Sequence, residues 1–184
     1  MKTLDYIIRN WRYRVVAPHV PAGCRILDIG GFDGSFLLHL SDKIESGISI
    51  DPLIVSRKMG KIEFIRSESS DSLPFPDSSF DAVALLAVYE HLGDLRESIT
   101  AEIFRVLKDR GVALLTVPSS MVDHILKILL KLRLIDGMCL EQHSHFESGD
   151  TVGIFQRHGF VLKRWARFQL GLNNFFLFEK REHG

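Results

Sequence analysis

Arg25-Ile26-Leu27-Asp28-Ile29-Gly30-Gly31-Phe32-Asp33-Gly34, followed by Ile48-Ser49-Ile50-Asp51, is the stretch that decides how this chain reads. An apolar run closes on an acid, glycines follow at once, and a second apolar run ends in another acid about 20 residues on, as in a nucleotide-cofactor site. Glycines without a Cβ let the backbone turn sharply and approach a ligand closely. A carboxylate at the end of the next strand can accept hydrogen bonds from ribose hydroxyls.

The spelling of the glycines bears on which cofactor is meant. A dinucleotide fold shows G-x-G-x-x-G and sets its pyrophosphate at a helix N-terminus. Here Gly30, Gly31 and Gly34 do not match it, and Phe32 stands where a second spaced glycine is expected. Gly31 beside it is expected to supply the missing backbone freedom.

Working outward, 184 residues suit one α/β domain, and we expect a single domain over 1–184 with an N-terminal helix in 1–20. The 23 basic residues equal the 23 acidic ones, so no net field attracts nucleic acid, and such a partner is not expected. Cys24 and Cys139 lie far apart without metal-ligand spacing; neither a disulfide nor a metal is expected, and the composition points to the reducing cytoplasm. The first 20 residues have arginines at 9, 12 and 14 and no apolar block, which argues against a secretory signal.

Leu4, Ile7, Ile8, Trp11 and Val15 recur at helical spacing and predict an amphipathic helix ending before Pro18, its apolar stripe packed on the core. Strands are predicted at 25–29, 48–51, 62–65, 80–88 and 112–117, with a helix from Gly34 to Leu40. A second helix is predicted after an Asp94 cap, with Leu95, Ile99, Ile103, Val106 and Leu107 on one face and Gly111 ending it. This alternation predicts a Rossmann-like, doubly wound, mostly parallel sheet. Phe160 to Phe168 and Leu172 to Phe178 are strand-like, and only Gln169-Leu170-Gly171 separate them. So short a link cannot hold a crossover helix, so the seven-stranded sheet should end in an antiparallel hairpin.

Further landmarks follow in order: Leu73-Pro74-Phe75-Pro76-Asp77-Ser78-Ser79-Phe80-Asp81, Glu90-His91-Leu92, Arg105-Val106-Leu107-Lys108 and Gly159-Phe160. With the acid-and-glycine loop, this ensemble resembles the class I S-adenosylmethionine-dependent methyltransferases, and within them the small-molecule type 11 group related to the quinone-ring methyltransferases. The resemblance covers about Arg25 to Phe178. It implies a mostly parallel sheet closed by an antiparallel hairpin and S-adenosylmethionine as cofactor. It implies that Asp28 and the backbone of Gly30, Gly31, Phe32 and Gly34 hold the amino-acid end of the cofactor, and that Asp51, followed by Pro52, binds its ribose. Glu68, in Ser67-Glu68-Ser69-Ser70-Asp71, and Ala87 near the end of the fourth strand complete the implied cofactor set.

Methyl transfer is an in-line displacement, in which positioning dominates and a base is optional. His91, His143 and His145 are candidates for that base, each set against a structural or surface role. Residues 121–135 combine Val122, Ile125, Leu126, Leu129 and Leu130 with Lys127, Lys131 and Arg133, a cationic amphipathic pattern. Packing, peripheral membrane contact and a lid compete for it; we take 119–146 as a lid or acceptor-site insertion, which favours a small-molecule or lipid-linked acceptor methylated at oxygen or carbon. A nicotinamide-dependent oxidoreductase and a non-catalytic methyltransferase-like partner subunit are the alternatives.

Overall fold

The structure is a computed structural model, and it describes residues 3–67, 72–119 and 148–182. Helix α1 (Thr3–Val16) leads through a 3-10 turn to strand β1 (Arg25–Ile29), helix α2 (Ser35–His39) and strand β2 (Ser46–Asp51). Strands β3 (Arg57–Met59), β4 (Ile62–Arg66) and β5 (Phe80–Leu86) follow, then a 3-10 segment (Tyr89–Leu95), α3 (Arg96–Val106) and β6 (Leu107–Pro118). Helix α4 (Ser148–Arg157) precedes the hairpin of β7 (Phe160–Phe168) and β8 (Asn173–Lys180).

The sheet runs β3-β4-β2-β1-β5-β6-β8-β7. Strands β4, β2, β1, β5 and β6 are parallel; β8 and β7 close one side antiparallel. The expected seven strands are all present, and β3 is an eighth, a three-residue antiparallel edge on β4. The hairpin forms as its short link requires: Gln169, Leu170 and Gly171 are all left-handed, reversing the chain tightly enough for Phe168 to pair with Asn173.

Alternation along buried strands feeds two cores. Leu27, Ile29, Val83, Leu85, Leu115, Phe176 and Phe178 face α3 and α4, meeting Ile99, Ile103 and Phe155. Ile26, Ala82, Ala84, Leu114 and Phe175 face the opposite way, toward Tyr13 and Val16 of α1 and Phe36 and Leu37 of α2. Successive strand residues point to opposite faces, so strands covered on both sides are mostly apolar, as β1 and β5 are apart from Arg25, Asp28 and Asp81. The chain leaves β1 toward β2 and β4, then returns to β5 on the other side of β1. Such a switch point opens a crevice at the carboxyl ends of the strands.

Three local expectations are corrected. Most of the α1 stripe is turned outward: Ile7 and Trp11 are 54% and 43% exposed and, among its described residues, only Val15 packs partly on the core, while Tyr13 and Val16 are buried. Asp94 does not cap α3, which grows directly out of the 3-10 segment with Leu95 exposed at its N-cap. The helix ends at Val106 rather than at Gly111, because Leu107 already pairs with Phe80 in the sheet. Within β6, where the pairing with β5 shifts register between Phe80 and Ala82, Arg110 lies in the left-handed region at φ 61°.

The Leu73–Ser79 and Arg105–Lys108 landmarks prove to be one structural unit. Arg105 donates through Nη1 to the Phe75 carbonyl (2.8 Å) and Asp77 (2.7 Å), and through Nη2 to the Leu73 carbonyl (3.0 Å) and Glu102 (2.7 Å). A planar five-donor fork can hold a loop this way where a lysine cannot. Among the described residues no helix is long and apolar enough to cross a membrane.

Candidate active site

The predicted glycine loop lies at the switch point. Asp28, Gly30, Gly31 and Phe32 line a cavity of about 240 Å³ together with Asp33, Phe36 and Leu86. Its opposite wall is α1, which contributes Arg9, Arg12 and Tyr13. A larger depression of about 560 Å³ lies at the other end of the sheet, against the start of β1 and β2. It contains neither the glycine loop nor its acids.

Asp28 is 2% exposed on the central strand β1. Burial, reinforced by the negative charges of Asp33 and Asp51, pushes its carboxyl up to about 8. A Cβ on Gly31 would overlap Asp28 Oδ2 and Ser49 Oγ, so only glycine lets the loop backbone settle against that carboxyl. Ser49 Oγ beneath it is buried without a hydrogen-bond partner among the described residues.

Asp51 ends β2 and joins the two strand ends. Its Oδ2 accepts from the Phe32 N–H (3.1 Å) and its Oδ1 from the Leu53 N–H (2.8 Å), so the carboxylate is fixed in orientation while each oxygen retains accepting capacity. The Gly30 N–H donates to the Ile50 carbonyl at 2.8 Å, a second tie between the loop and β2. Pro52 beside Asp51 is exposed.

Phe32 itself adopts the left-handed conformation, at φ 41°, with its side chain 57% exposed. Gly31, expected to supply backbone freedom, is not among the positive-φ residues; what its missing Cβ provides is clearance for Asp28. Gly34 is left-handed at φ 68° and packs on the Phe64 ring, where a Cβ would overlap. The turn is held by Asp33, which accepts from the Ser35 N–H at 3.0 Å and pairs with Arg9 at 2.9 Å.

Ala87 follows β5 at φ 60° and donates its N–H to the Thr116 carbonyl at 2.9 Å. Four residues on, His91 is exposed and donates its backbone N–H to the Val88 carbonyl at 2.9 Å. Its neighbour Glu90 is 4% exposed, and burial, only partly opposed by Arg12 and Arg96, pushes the carboxyl up to about 7. Glu68, His143, His145 and the 121–135 segment lie outside the described residues.

A family model described as a methyltransferase domain matches residues 3–163. The chain belongs to the methyltransferase-domain family. An uncharacterized methyltransferase of Bacillus subtilis strain 168 is 33% identical over 109 residues, covering 54% of this chain and 40% of that protein. A ubiquinone/menaquinone biosynthesis C-methyltransferase of Xanthomonas campestris is 29% identical over 122 residues, covering 58% of this chain and 47% of that protein. The matches thus span less than half of either relative. A SAM-dependent methyltransferase structure from Methanosarcina mazei superposes with a TM-score of 0.66 at 25% identity, over 96% of this chain and 98% of that one.

This methyltransferase domain therefore gathers Asp28 and the loop residues Gly30, Gly31 and Phe32 at one crevice, with Asp51 tied to the loop through the Phe32 N–H. The sequence reading missed α1, taken only as packing. The signal was present: Arg9, Arg12, Tyr13 and Val16 share one helix face at i, i+3, i+4 and i+7, but a polar face reads as solvent-facing until a cavity is known to lie beneath it.

Proposed function

We propose that this protein transfers a methyl group from S-adenosylmethionine to carbon or oxygen of a small-molecule acceptor. The observation that carries the reading is the pair of acids at adjacent strand ends, Asp28 facing the cavity and Asp51 oriented by the Phe32 and Leu53 amides. The residues suit the cofactor: an otherwise unneutralised carboxyl for an ammonium, a fixed carboxylate for two ribose hydroxyls, and a loop with no Cβ at Gly31. S-adenosylmethionine supplies a methyl group on a positively charged sulfur.

The chain's own contribution is binding and orientation. Asp28 gains its charge when an ammonium approaches, since a neighbouring cation offsets the burial that keeps it protonated. Asp51 sets the rotation of the nucleoside end. Leu86 and Phe36 keep the cavity partly apolar, which limits water near the reacting centre. For the acceptor, the similarity to a ubiquinone/menaquinone biosynthesis C-methyltransferase and the apolar, cationic composition of 121–135 support a quinone-type or lipid-linked ring.

Calorimetric titration with S-adenosylhomocysteine and with NAD tests the cofactor. We expect the first to bind and the second not; the reverse would favour the oxidoreductase reading and end this one. Asp51→Ala should weaken S-adenosylhomocysteine binding by about 10- to 100-fold through loss of charge-assisted hydrogen bonds. Asp51→Asn, which keeps an acceptor for one loop amide, separates that loss from loop collapse. Transfer of labelled methyl into a lipid extract, against a water-soluble metabolite extract, tests the acceptor class.

A further inference from the structure

The wall that α1 contributes carries two guanidinium groups, and they are not equivalent. Arg9 is engaged by Asp33 at 2.9 Å. The Nε of each is buried and lacks a hydrogen-bond partner among the described residues, but among those residues Arg12 has no ion pair like the one between Arg9 and Asp33. Glu90 influences it electrostatically, yet Glu90 Oε2 is also buried and unpartnered among the described residues. Burial pulls the Arg12 pKa down, against the raising effects of Glu90 and Tyr13. A buried donor on a charged group is costly to leave unsatisfied, and Arg12 borders the same cavity as Asp28. Together they give that cavity a cationic wall facing an acidic floor, the charge arrangement that complements an α-amino acid zwitterion.

We propose that Arg12 binds the α-carboxylate of the cofactor's amino-acid moiety while Asp28 takes the ammonium, making the N-terminal helix a cofactor-binding element as well as a packing one. This rests on the cofactor reading above. Arg12 is the better placed of the two arginines because Arg9 would first have to surrender Asp33, which also holds the start of α2 through the Ser35 N–H. A guanidinium suits the task, since it meets a carboxylate with two parallel N–H bonds. The outward turn of the α1 apolar stripe follows from the same arrangement: the helix keeps Arg9, Arg12 and Tyr13 toward the cavity, and Ile7 and Trp11 then point away.

The experiment compares two probes that share the nucleoside and differ in the amino-acid end: S-adenosylhomocysteine, and 5′-methylthioadenosine, which has no carboxylate or ammonium. Arg12→Met should weaken S-adenosylhomocysteine by about 10- to 100-fold, the usual loss for a charge-assisted bond, and leave methylthioadenosine within about twofold. Arg12→Lys keeps the charge without the fork and should fall between Met and wild type; it also serves if the Met variant does not fold. Asp51→Ala, as a control, should weaken both probes. Equal loss of both probes in the Arg12 variants, or unchanged S-adenosylhomocysteine affinity, would overturn the assignment of Arg12 alone. Wild-type protein that binds neither probe would overturn the cofactor reading and this inference with it.

Discussion

Replacing Asp28 by Asn should stabilise the protein and weaken its cofactor site. In the folded chain burial pushes the Asp28 carboxyl up to about 8, whereas the ordinary value is 3.8. Between those two values the folded state holds a proton that the unfolded state has released, so stability is fully present below the ordinary value and falls as pH rises toward the folded one. Each pH unit in that window costs about 1.4 kcal/mol. From 3.8 to pH 7 the loss reaches about 4 kcal/mol as an upper bound, because relaxation and water entry soften burial penalties. Asn is nearly isosteric and does not titrate, so Asp28→Asn should equal wild type near pH 4 and exceed it increasingly to about pH 8, where the difference levels off. Urea unfolding at pH 5, 6, 7 and 8 measures this, and comparing the two proteins cancels slopes from other groups such as Glu90. S-adenosylhomocysteine should narrow the gap, because its ammonium favours the ionised carboxyl of wild type and has no such partner in the variant. Parallel stability curves for the two proteins across this range would refute the burial argument.

Other substitutions probe the frame around the site. Gly34→Ala places a Cβ into the Phe64 ring at φ 68°, and strain plus overlap should cost about 2 to 4 kcal/mol in urea unfolding; a cost below about 1 kcal/mol would mean that the ring moves freely. Arg105→Met frees the Leu73 and Phe75 carbonyls and should cost about 2 to 3 kcal/mol, most of it from those two bonds because the Asp77 partner is exposed. The cleavage rate of the 73–79 loop in limited proteolysis should rise in that variant, and an unchanged rate would dissociate Arg105 from the loop.

Much of the site was legible because its chemistry constrains the chain locally. Asp28 and Asp51 could be placed at strand ends because two apolar runs end there. The clearance required at Gly31 is a property of neighbouring strands: the atoms that exclude a Cβ belong to Asp28 on β1 and Ser49 on β2. Backbone freedom was expected from Gly31, yet the left-handed residue is Phe32, whose N–H is tied from outside the loop by Asp51.

The sequence by itself determined the order of strands and helices, the glycine turn with its acids, and the antiparallel finish. Each follows from local rules: apolar runs that need burial on both faces, backbone turns that need glycine, and a link too short for a crossover. The sheet order, the short edge strand β3 and the face that α1 presents were decided only by the tertiary structure. Hydrophobic periodicity locates the apolar stripe of a helix, but which stripe turns inward depends on what lies beneath it. Under α1 lies a cavity floored by Asp28, and the buried carboxyl makes a wall of arginine and tyrosine the better neighbour.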